Sequence, residues 1–376
     1  MVHYRRAGGI GQYVASLLAA MARSPLVGQG SLVQVLQMRG DTQALVPGDP
    51  RFRRVPLWTP PHNRFEQPAL VAELLALRPK PQLIHSPDFV PPRFRRFPAV
   101  VNIQDLAFLK FPDMTLLTGQ SKRYYGQVRH AARDAEAVIA LSESARDDIV
   151  QLLGVSPGKV AVIPAAAGEE FRPPDDLGEA QRWAAQHFGL PTREEGGYIL
   201  FVSTIEPRKN LPMLFEAYRL LIERGRAAPV PALALAGPEG WLYERVYARM
   251  DELKLREHVR LLGGVSAPDL VGLYQGACLF ALPSLYEGFG LPALEALACG
   301  VPVLASTGGS LPEVVGDAGI LLDPHDADAW ADAIERVLLD PAESQRMRDA
   351  GPKQAANFSW DRAAAQTWEL YARVAT

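Results

Sequence analysis

Ser284-Leu285-Tyr286-Glu287-Gly288-Phe289-Gly290-Leu291-Pro292-Ala293-Leu294-Glu295-Ala296 is the stretch around which the rest of the chain falls into place. It follows Ala277-Cys278-Leu279-Phe280-Ala281-Leu282-Pro283, an apolar run that reads as a buried strand. The chain then turns through two glycines and opens a helix at Pro292, in the favoured first helical position. A strand, a glycine loop and a helix N-terminus make an anion site from free N–H groups and the positive end of the helix dipole. Two carboxylates frame it: Glu287 before the glycines and Glu295 about one turn into the helix. A phosphate receptor flanked by acceptor-only groups suits a ligand that carries both phosphate and hydroxyls, as a nucleotide sugar does.

Outward from this point, apolar strand-like runs alternate with helical patterns, which argues for parallel sheets built from βαβ units. In the first half, Ser31–Gln37, Leu83–His85, Ala99–Ile103, Ala137–Leu141 and Val160–Ile163 read as strands. Gln12–Met21, Lys122–Ala132 and Ser144–Leu153 read as helices. In the second half the strands are Tyr198–Thr204, Ala232–Ala236, Val259–Leu262, Leu279–Leu282, Val301–Ala305 and Gly319–Leu322. Helices fit Leu211–Arg224, Glu244–Leu253, Ala267–Gln275, Pro292–Ala298, Ala327–Leu338 and Ala342–Ala356. The pattern breaks at Phe171-Arg172-Pro173-Pro174-Asp175-Asp176, where the domain linker is expected. The expected architecture is α/β: two Rossmann-like, doubly wound domains, 1–172 and 173–357, facing across a cleft. The final segment, 358–376, contains an amphipathic run from Trp360 to Val374.

Composition bounds the function classes. A length of 376 residues suits two domains, and 48% hydrophobic with 22% charged residues is ordinary for a globular protein. No apolar run reaches the roughly 18–20 residues of a membrane span and no signal peptide is read, so a cytoplasmic location is expected. Cys278 and Cys299 both sit in apolar segments and read as buried, reduced core residues. The net charge of −3 hides an asymmetry: residues 1–100 hold 13 Lys+Arg against 5 Asp+Glu, a balance of +8 that leaves −11 for the remainder. Arg51, Arg53 and Arg54, then Arg93, Arg95 and Arg96, form short basic clusters. A solvated surface is the plain reading; peripheral contact with the inner face of an anionic membrane, or with a phosphorylated acceptor, is the sharper one. No nucleic-acid-binding motif accompanies the charge.

The N-terminus departs from the plan. Gly8-Gly9-Ile10-Gly11 resembles a loop between a strand and a helix, yet only seven residues precede it. Two accounts stay open: Val2–Tyr4 is the stub of a short strand, or the start lies downstream of the true one.

With these residues placed, the chain resembles the retaining GT-B glycosyltransferases of the group 1, mannosyltransferase-like family. The most specific shared element is the pair Glu287 and Glu295, separated by seven residues with glycines among them. Next is Thr204-Ile205-Glu206-Pro207-Arg208-Lys209-Asn210-Leu211, after the strand that ends near Ser203. His85-Ser86-Pro87-Asp88, Leu141-Ser142-Glu143-Ser144, Ala236-Gly237-Pro238 and Thr307-Gly308-Gly309 with Pro312-Glu313 also match, and the likeness spans nearly the whole chain. It implies a GT-B fold whose C-terminal helix crosses back to the N-terminal domain. It implies catalytic roles for Glu287, Arg208, Lys209, Gln104 and Asp105. Donor contacts are implied for Gly9, Gly11, Ser203, Arg208, Lys209, Gly237, Val265, Glu287, Gly288, Phe289, Gly290, Leu291 and Glu295. Glu295 would meet the ribose and Glu287 the hydroxyls of the donor sugar.

The chemistry read from the residues agrees with that likeness. Departure of a nucleoside diphosphate leaves negative charge on its β-phosphate, so fixed positive charge is needed where that charge develops. Arg208 would grip phosphate oxygens as a fork and Lys209 as a point charge, with the N–H groups of Gly288–Leu291 completing the cradle. Gly9 and Gly11 would let the N-terminal loop approach closely. In such retaining enzymes the departing phosphate assists the incoming hydroxyl on the same face, without an obligatory protein nucleophile; this too rests on the resemblance.

Blander roles compete at several positions. Ser142 suits a helix cap, and Glu313 a cap or brace. Asp326-Ala327-Asp328 superficially matches a metal-binding Asp-x-Asp, but it opens a helix after Pro324, so capping is the better account. None of the seven histidines has metal-ligand spacing, and neither a metal nor another cofactor is expected. The chain also departs from its relatives. Where they usually carry His-Asp, it has Gln104-Asp105, and glutamine can hydrogen-bond a sugar but cannot become cationic. Ser203 stands where glycine is common, and Ala165-Ala166-Ala167 where Asn-Gly is common.

The expectation is a metal-independent retaining transferase that moves a hexose to a hydroxyl of a glycan or lipid-linked acceptor. GDP-mannose is the favoured donor and UDP-glucose the next. The alternatives are a nucleotide-sugar-binding protein without transfer, motivated by Gln104 and the short N-terminus, and a GT-B-fold sugar-nucleotide epimerase, against which the paired glutamates argue.

Overall fold

The computed structural model of the protein describes residues 9–28, 30–41, 45–59, 66–87, 96–114 and 120–375. The chain divides into two compact units. One takes the described residues of 1–109, 118–165 and 359–376, and the other those of 110–117 and 166–358.

In the first unit α1 (Gly9–Arg23) leads to a parallel pair, β1 (Val33–Met38) and β2 (Phe52–Leu57), in which Val33 faces Phe52 and Met38 faces Leu57. A second ladder orders β3 (Ile84–Ser86), β4 (Ala99–Asn102), β5 (Ala137–Ala140) and β6 (Val160–Val162) side by side, all parallel. The helices are α2 (Glu66–Ala76), α3 (Ala107–Lys110, its last residue grouped with the second unit), α4 (Gln120–Asp134) and α5 (Glu143–Leu153). Strands β4 and β5 are buried along their whole length, as parallel strands covered on both faces must be. Ser142 caps α5 by accepting from the Ala145 N–H, and Gly154 ends it in the left-handed region at φ 65°.

The second unit opens with α6 (Leu177–Phe188), followed by β7 (Tyr198–Val202), α7 (Leu211–Arg224), β8 (Ala232–Ala236), α8 (Tyr243–Glu252) and β9 (Val259–Gly263). It continues through α9 (Ala267–Gly276), β10 (Leu279–Leu282), α10 (Leu291–Ala298), β11 (Val303–Ser306), α11 (Leu311–Val315), β12 (Ile320–Leu322), α12 (Ala327–Leu339) and α13 (Pro341–Ala355). Its six strands are parallel in the order β12-β11-β10-β7-β8-β9. The chain therefore winds outward from β7 to β9, crosses back, and winds the other way from β10 to β12. Strand order reverses between β7 and β10, the topological switch point of a doubly wound sheet. Right-handed crossovers then put α7 and α8 on one face and α9 and α10 on the other. Packing agrees: α7 lies against α8 and α12, and α10 against α9 and α13.

Helix α14 (Trp360–Ala375) closes the chain and belongs to the first unit, where it packs along α1. Trp360 meets Tyr13 edge-on at 5.5 Å, and the Tyr371 hydroxyl bonds His85 Nδ1. Burial holds that histidine down near pKa 4, hence neutral, even though its bond to Asn102 pulls the other way.

Several expectations differ from what is found. Strand β2 was not visible in Phe52-Arg53-Arg54-Val55-Pro56-Leu57, because two arginines and a proline hide any apolar alternation. Gly9 and Gly11 lie inside the first turn of α1 rather than in a loop before it, and Gly11 is buried there. The strand considered at Val2–Tyr4 falls outside the described residues. Arg51 and Arg54, expected on a solvated or membrane-facing patch, are half-buried and donate to backbone carbonyls. Arg51 reaches Val27 and Ala22, and Arg54 reaches Met38 and Asp41. Arg93 and Arg95 lie outside the described residues. The division between units falls at Ala165/Ala166, and Phe171, ahead of the Pro- and Asp-rich stretch, is buried in the second unit against Tyr274.

Candidate active site

The residues expected to do chemistry in the second half meet at the C-terminal edge of the six-stranded sheet, at the switch point. From β7 the chain runs through Ser203 and Thr204 into a single 3₁₀ turn, Pro207–Lys209, and then α7. Asn210 joins turn to helix with φ 58°, a left-handed conformation that asparagine tolerates better than most residues. Its Nδ2 donates to the carbonyls of Pro324 at 2.7 Å and Pro283 at 3.2 Å, and the Leu285 N–H donates to the Arg208 carbonyl at 3.0 Å. The turn after β7 is thereby tied to the exit of β10.

That tie brings together two cations and a carboxylate 78 residues apart in sequence. Lys209 Nζ donates to Glu287 Oε1 at 2.7 Å, and Ser284 Oγ donates to the same oxygen at 2.6 Å. Arg208 Nη1 stands 3.5 Å from Glu287 Oε2. Arg208 also donates from Nη1 to the Tyr286 carbonyl at 2.7 Å and from Nη2 to Glu206 Oε1 at 2.8 Å. Glu287 is only 8% exposed, and burial alone would push its carboxyl up. The charges of Lys209 and Arg208, with the bonds from Lys209 and Ser284, outweigh burial and hold it below the usual carboxylate range. Glu287 is therefore ionised at neutral pH.

The glycine loop is held just as firmly. Ser310 donates from both N–H and Oγ to the Glu287 carbonyl at 3.0 Å, and Ser306 Oγ donates to the Ser284 carbonyl. Gly309 has φ 67°, and a Cβ there would lie 2.2 Å from the Glu287 carbonyl oxygen, so only glycine fits. Gly290, at φ 91°, starts α10 with no side chain capping the helix. Pro292 has no N–H and the Ala293 N–H donates to the Gly290 carbonyl at 3.0 Å, so the Leu291 N–H and the helix dipole are what this end can offer an anion.

Glu295 projects from α10 and is 4% exposed. Tyr274 Oη donates to its Oε2 at 3.0 Å. Burial pushes the Glu295 carboxyl up to about 8; the Tyr274 bond opposes this and the charge of Glu170 adds to it. Among the described residues no cation pairs with it as Lys209 does with Glu287. The two glutamates thus sit in opposite states near neutral pH, Glu287 ionised and Glu295 protonated, because one is paired with cations and the other is not.

The remaining expected residues are placed as follows. Ser203, Gly237 and Val265 lie at the ends of β7, β8 and β9 on the same edge. The Ser203 carbonyl comes so close to Gly237 that a Cβ there would be 1.9 Å away. Val265 packs half-buried against the core. Gly288, Gly290 and Leu291 form the loop and the start of α10. The Phe289 ring is buried edge-on against Phe358 at 5.7 Å. Gly9, Gly11, Gln104 and Asp105 belong to the first unit. Asp105 Oδ1 accepts from the Ala107 N–H at 3.0 Å at the start of α3, and Gln104 Nε2 is buried without a hydrogen-bond partner. Asp326 caps α12 through the Ala329 N–H. Cys278 and Cys299 are buried and free. Among the described residues no three His, Cys, Asp or Glu side chains gather as a metal would need, and no helix is long and apolar enough to cross a membrane.

Sequence reasoning missed four contributors: Ser284, Glu206, Asn210 and Tyr274. Ser284 and Glu206 stand within three residues of the groups they hold and were legible in principle. Tyr274 lies 21 residues from Glu295 on another helix, with no local signal.

Residues 184–354 match the family model of glycosyl transferases group 1, and residues 8–166 match that of the glycosyl transferase 4-like domain. O-antigen chain mannosyltransferase B of Escherichia coli is 33% identical over 318 residues, covering 81% of this chain and 80% of that one. The chain belongs to the group 1 glycosyltransferases. A second relative, the serotype-specific mannosyltransferase WbdA of Escherichia coli, is 34% identical over 242 residues, which are 64% of this glycosyltransferase and 29% of WbdA. Sucrose-phosphate synthase from Thermosynechococcus elongatus superposes with a TM-score of 0.78 at 24% identity, covering 99% of this chain and 95% of that one. That likeness concerns the fold: this glycosyltransferase has the GT-B fold, built from parallel sheets with helices.

Proposed function

We propose that this glycosyltransferase is a retaining, metal-independent hexosyltransferase. It moves mannose from GDP-mannose to a hydroxyl of a glycan or lipid-linked acceptor, working in the cytoplasm. The observation that carries the reading is the Lys209–Glu287 pair, with Arg208 beside it, at the β7/β10 switch point next to the uncapped start of α10. A diphosphate there meets two fixed cations and a helix dipole, the arrangement that stabilises negative charge as it develops on the departing β-phosphate. Positive charge supplied by side chains performs the task a divalent ion performs elsewhere. Glu295 fits a ribose site: protonated, it both donates to and accepts from vicinal hydroxyls. Mannose as the sugar draws on the two mannosyltransferase relatives, and UDP-glucose is the next candidate donor.

The test is transfer from GDP-mannose to a synthetic α-mannoside with EDTA present, the product anomer being read by NMR. An α-linked product at an EDTA-insensitive rate is expected. A β-linked product, or loss of transfer on chelation that returns with a divalent ion, contradicts the reading.

One observation favours a second reading, a nucleotide-sugar-binding protein without transfer: Gln104, at the position where the family resemblance implies a histidine, buries an amide nitrogen without a hydrogen-bond partner among the described residues. Under that reading Gln104→His raises turnover from undetectable to measurable. Under the first, wild type already turns over and the substitution changes kcat by less than about tenfold.

A further inference from the structure

The loop from β8 to α8 runs Gly237-Pro238-Glu239-Gly240-Trp241-Leu242 and is stitched to the turn that carries the site's cations. The Ile205 N–H donates to the Pro238 carbonyl and the Gly240 N–H to the Ile205 carbonyl, each at 2.9 Å, and Ile205 bridges Glu239. A Cβ at Gly240 would lie 2.4 Å from Thr204 Cγ2, so glycine sets how closely the loop can approach. Helix α8 packs against the Pro207–Lys209 turn. Trp241, the residue before Leu242 and α8, is 55% exposed and has no ring or hydrogen-bond partner among the described residues. A large indole is thus displayed, uncovered, on a loop pinned beside the reaction site.

Its neighbours decide what it takes. Glu239 and Glu244 are exposed carboxylates on either side, and their charges, Glu239 first, push the Tyr243 hydroxyl's pKa up. Tyr247 meets Tyr243 edge-on at 5.4 Å, and the pKa of its hydroxyl is raised by burial and then by Glu239. Phosphate and anionic lipid are disfavoured in such surroundings. Topology points the same way: Glu295 and Tyr274 lie on the α9/α10 side of the sheet, whereas Trp241 feeds α8 on the opposite side. A ribose held by Glu295 would therefore lie on the other side of the sheet from α8. A flat apolar ring beside carboxylate acceptors and phenol hydroxyls matches a neutral pyranose, whose C–H face covers the ring while its hydroxyls donate at the rim.

We infer that Trp241 is a stacking platform for a pyranose ring of the acceptor glycan, with Glu239 accepting hydrogen bonds from that ring's hydroxyls. The inference rests on the transferase reading above and adds where the acceptor sugar docks.

The probe is α-mannotriose, its binding followed by saturation-transfer NMR with GDP present, on wild type, Trp241→Ala, Trp241→Phe and Glu239→Gln; GDP affinity is measured on each. Expected are mannotriose binding to wild type, a loss of at least fivefold in Trp241→Ala, retention within about threefold in Trp241→Phe, and unchanged GDP affinity throughout. In transfer assays KM for mannotriose rises in Trp241→Ala while KM for GDP-mannose holds. Equal mannotriose binding by wild type and Trp241→Ala overturns the inference, as does absence of mannotriose binding to wild type. A fall in GDP affinity in Trp241→Ala overturns it in favour of a nucleobase platform, and a fall in pelleting with anionic vesicles in favour of a membrane contact. Wild type that binds neither GDP nor GDP-mannose sinks the transferase reading instead, so the two failures are distinguishable.

Discussion

Glu287 and Glu295 are the same residue type eight positions apart, and their surroundings drive them to opposite charge states. The sign of each effect on stability follows. For Glu295 the folded value, about 8, lies above the ordinary 4.5, so between those values the folded protein holds a proton that the unfolded chain has released. Stability falls as pH rises through that window, by a total of about 5 kcal/mol. We expect Glu295→Gln, which cannot ionise, to flatten this slope between pH 5 and 8 in thermal denaturation; an unchanged slope would show that Glu295 is not the group responsible. Glu287 works the other way. Its folded value is depressed, so its contribution is present above the unfolded value and lost as pH falls through the folded one.

The ion pair gives a second residue-scale expectation. Lys209→Ala leaves Glu287 as a buried carboxylate short of its closest cation, and urea denaturation should register a loss of about 3–5 kcal/mol. Replacing both partners by apolar residues, Lys209→Met with Glu287→Leu, removes the stranded charge and should recover most of that stability while leaving transfer abolished. A double variant no more stable than Lys209→Ala would contradict the assignment of the loss to an unpaired charge.

Among the elements, the best-read part was the one whose signal is local. The buried strand, the glycine turn and the proline at a helix start lie within 20 contiguous residues, and each fixes its own backbone, so β10 and α10 stood out in the sequence. Strand β2 did not, because Arg53 and Arg54 are drawn to carbonyls elsewhere in the unit and hide its alternation. The Phe289 ring packs inward on Phe358, 69 positions away, a contact that no local signal announces. The glycine loop offers a test of its own. Gly309→Ala puts a methyl group 2.2 Å from the Glu287 carbonyl in a left-handed conformation. Strain of about 1–3 kcal/mol is expected, read as a fall of several degrees in Tm, together with loss of transfer as Glu287 shifts. A variant with wild-type Tm and activity would show that the loop is more pliable than these contacts imply.

For the whole molecule, the alternation of strands and helices was enough to give α/β units with parallel sheets, because parallel strands covered on both faces must be apolar throughout; the reversal of a doubly wound sheet is seen in the second unit. What the sequence left hidden is long-range. The fold brings Lys209 to Glu287 and Tyr274 to Glu295, and it places the strand reversal between β7 and β10, where the chemistry gathers. The central claim is that this reversal forms a receptor for a nucleoside diphosphate sugar. Calorimetric titration of GDP and UDP, with EDTA present, into wild type and the folded Lys209→Met/Glu287→Leu variant tests it most directly. The account predicts that wild type binds GDP without metal, more tightly than UDP, and that the variant loses roughly 10- to 100-fold in affinity, the scale of one charge-assisted hydrogen bond. Equal affinity in the two proteins would place the nucleotide elsewhere and contradict the account.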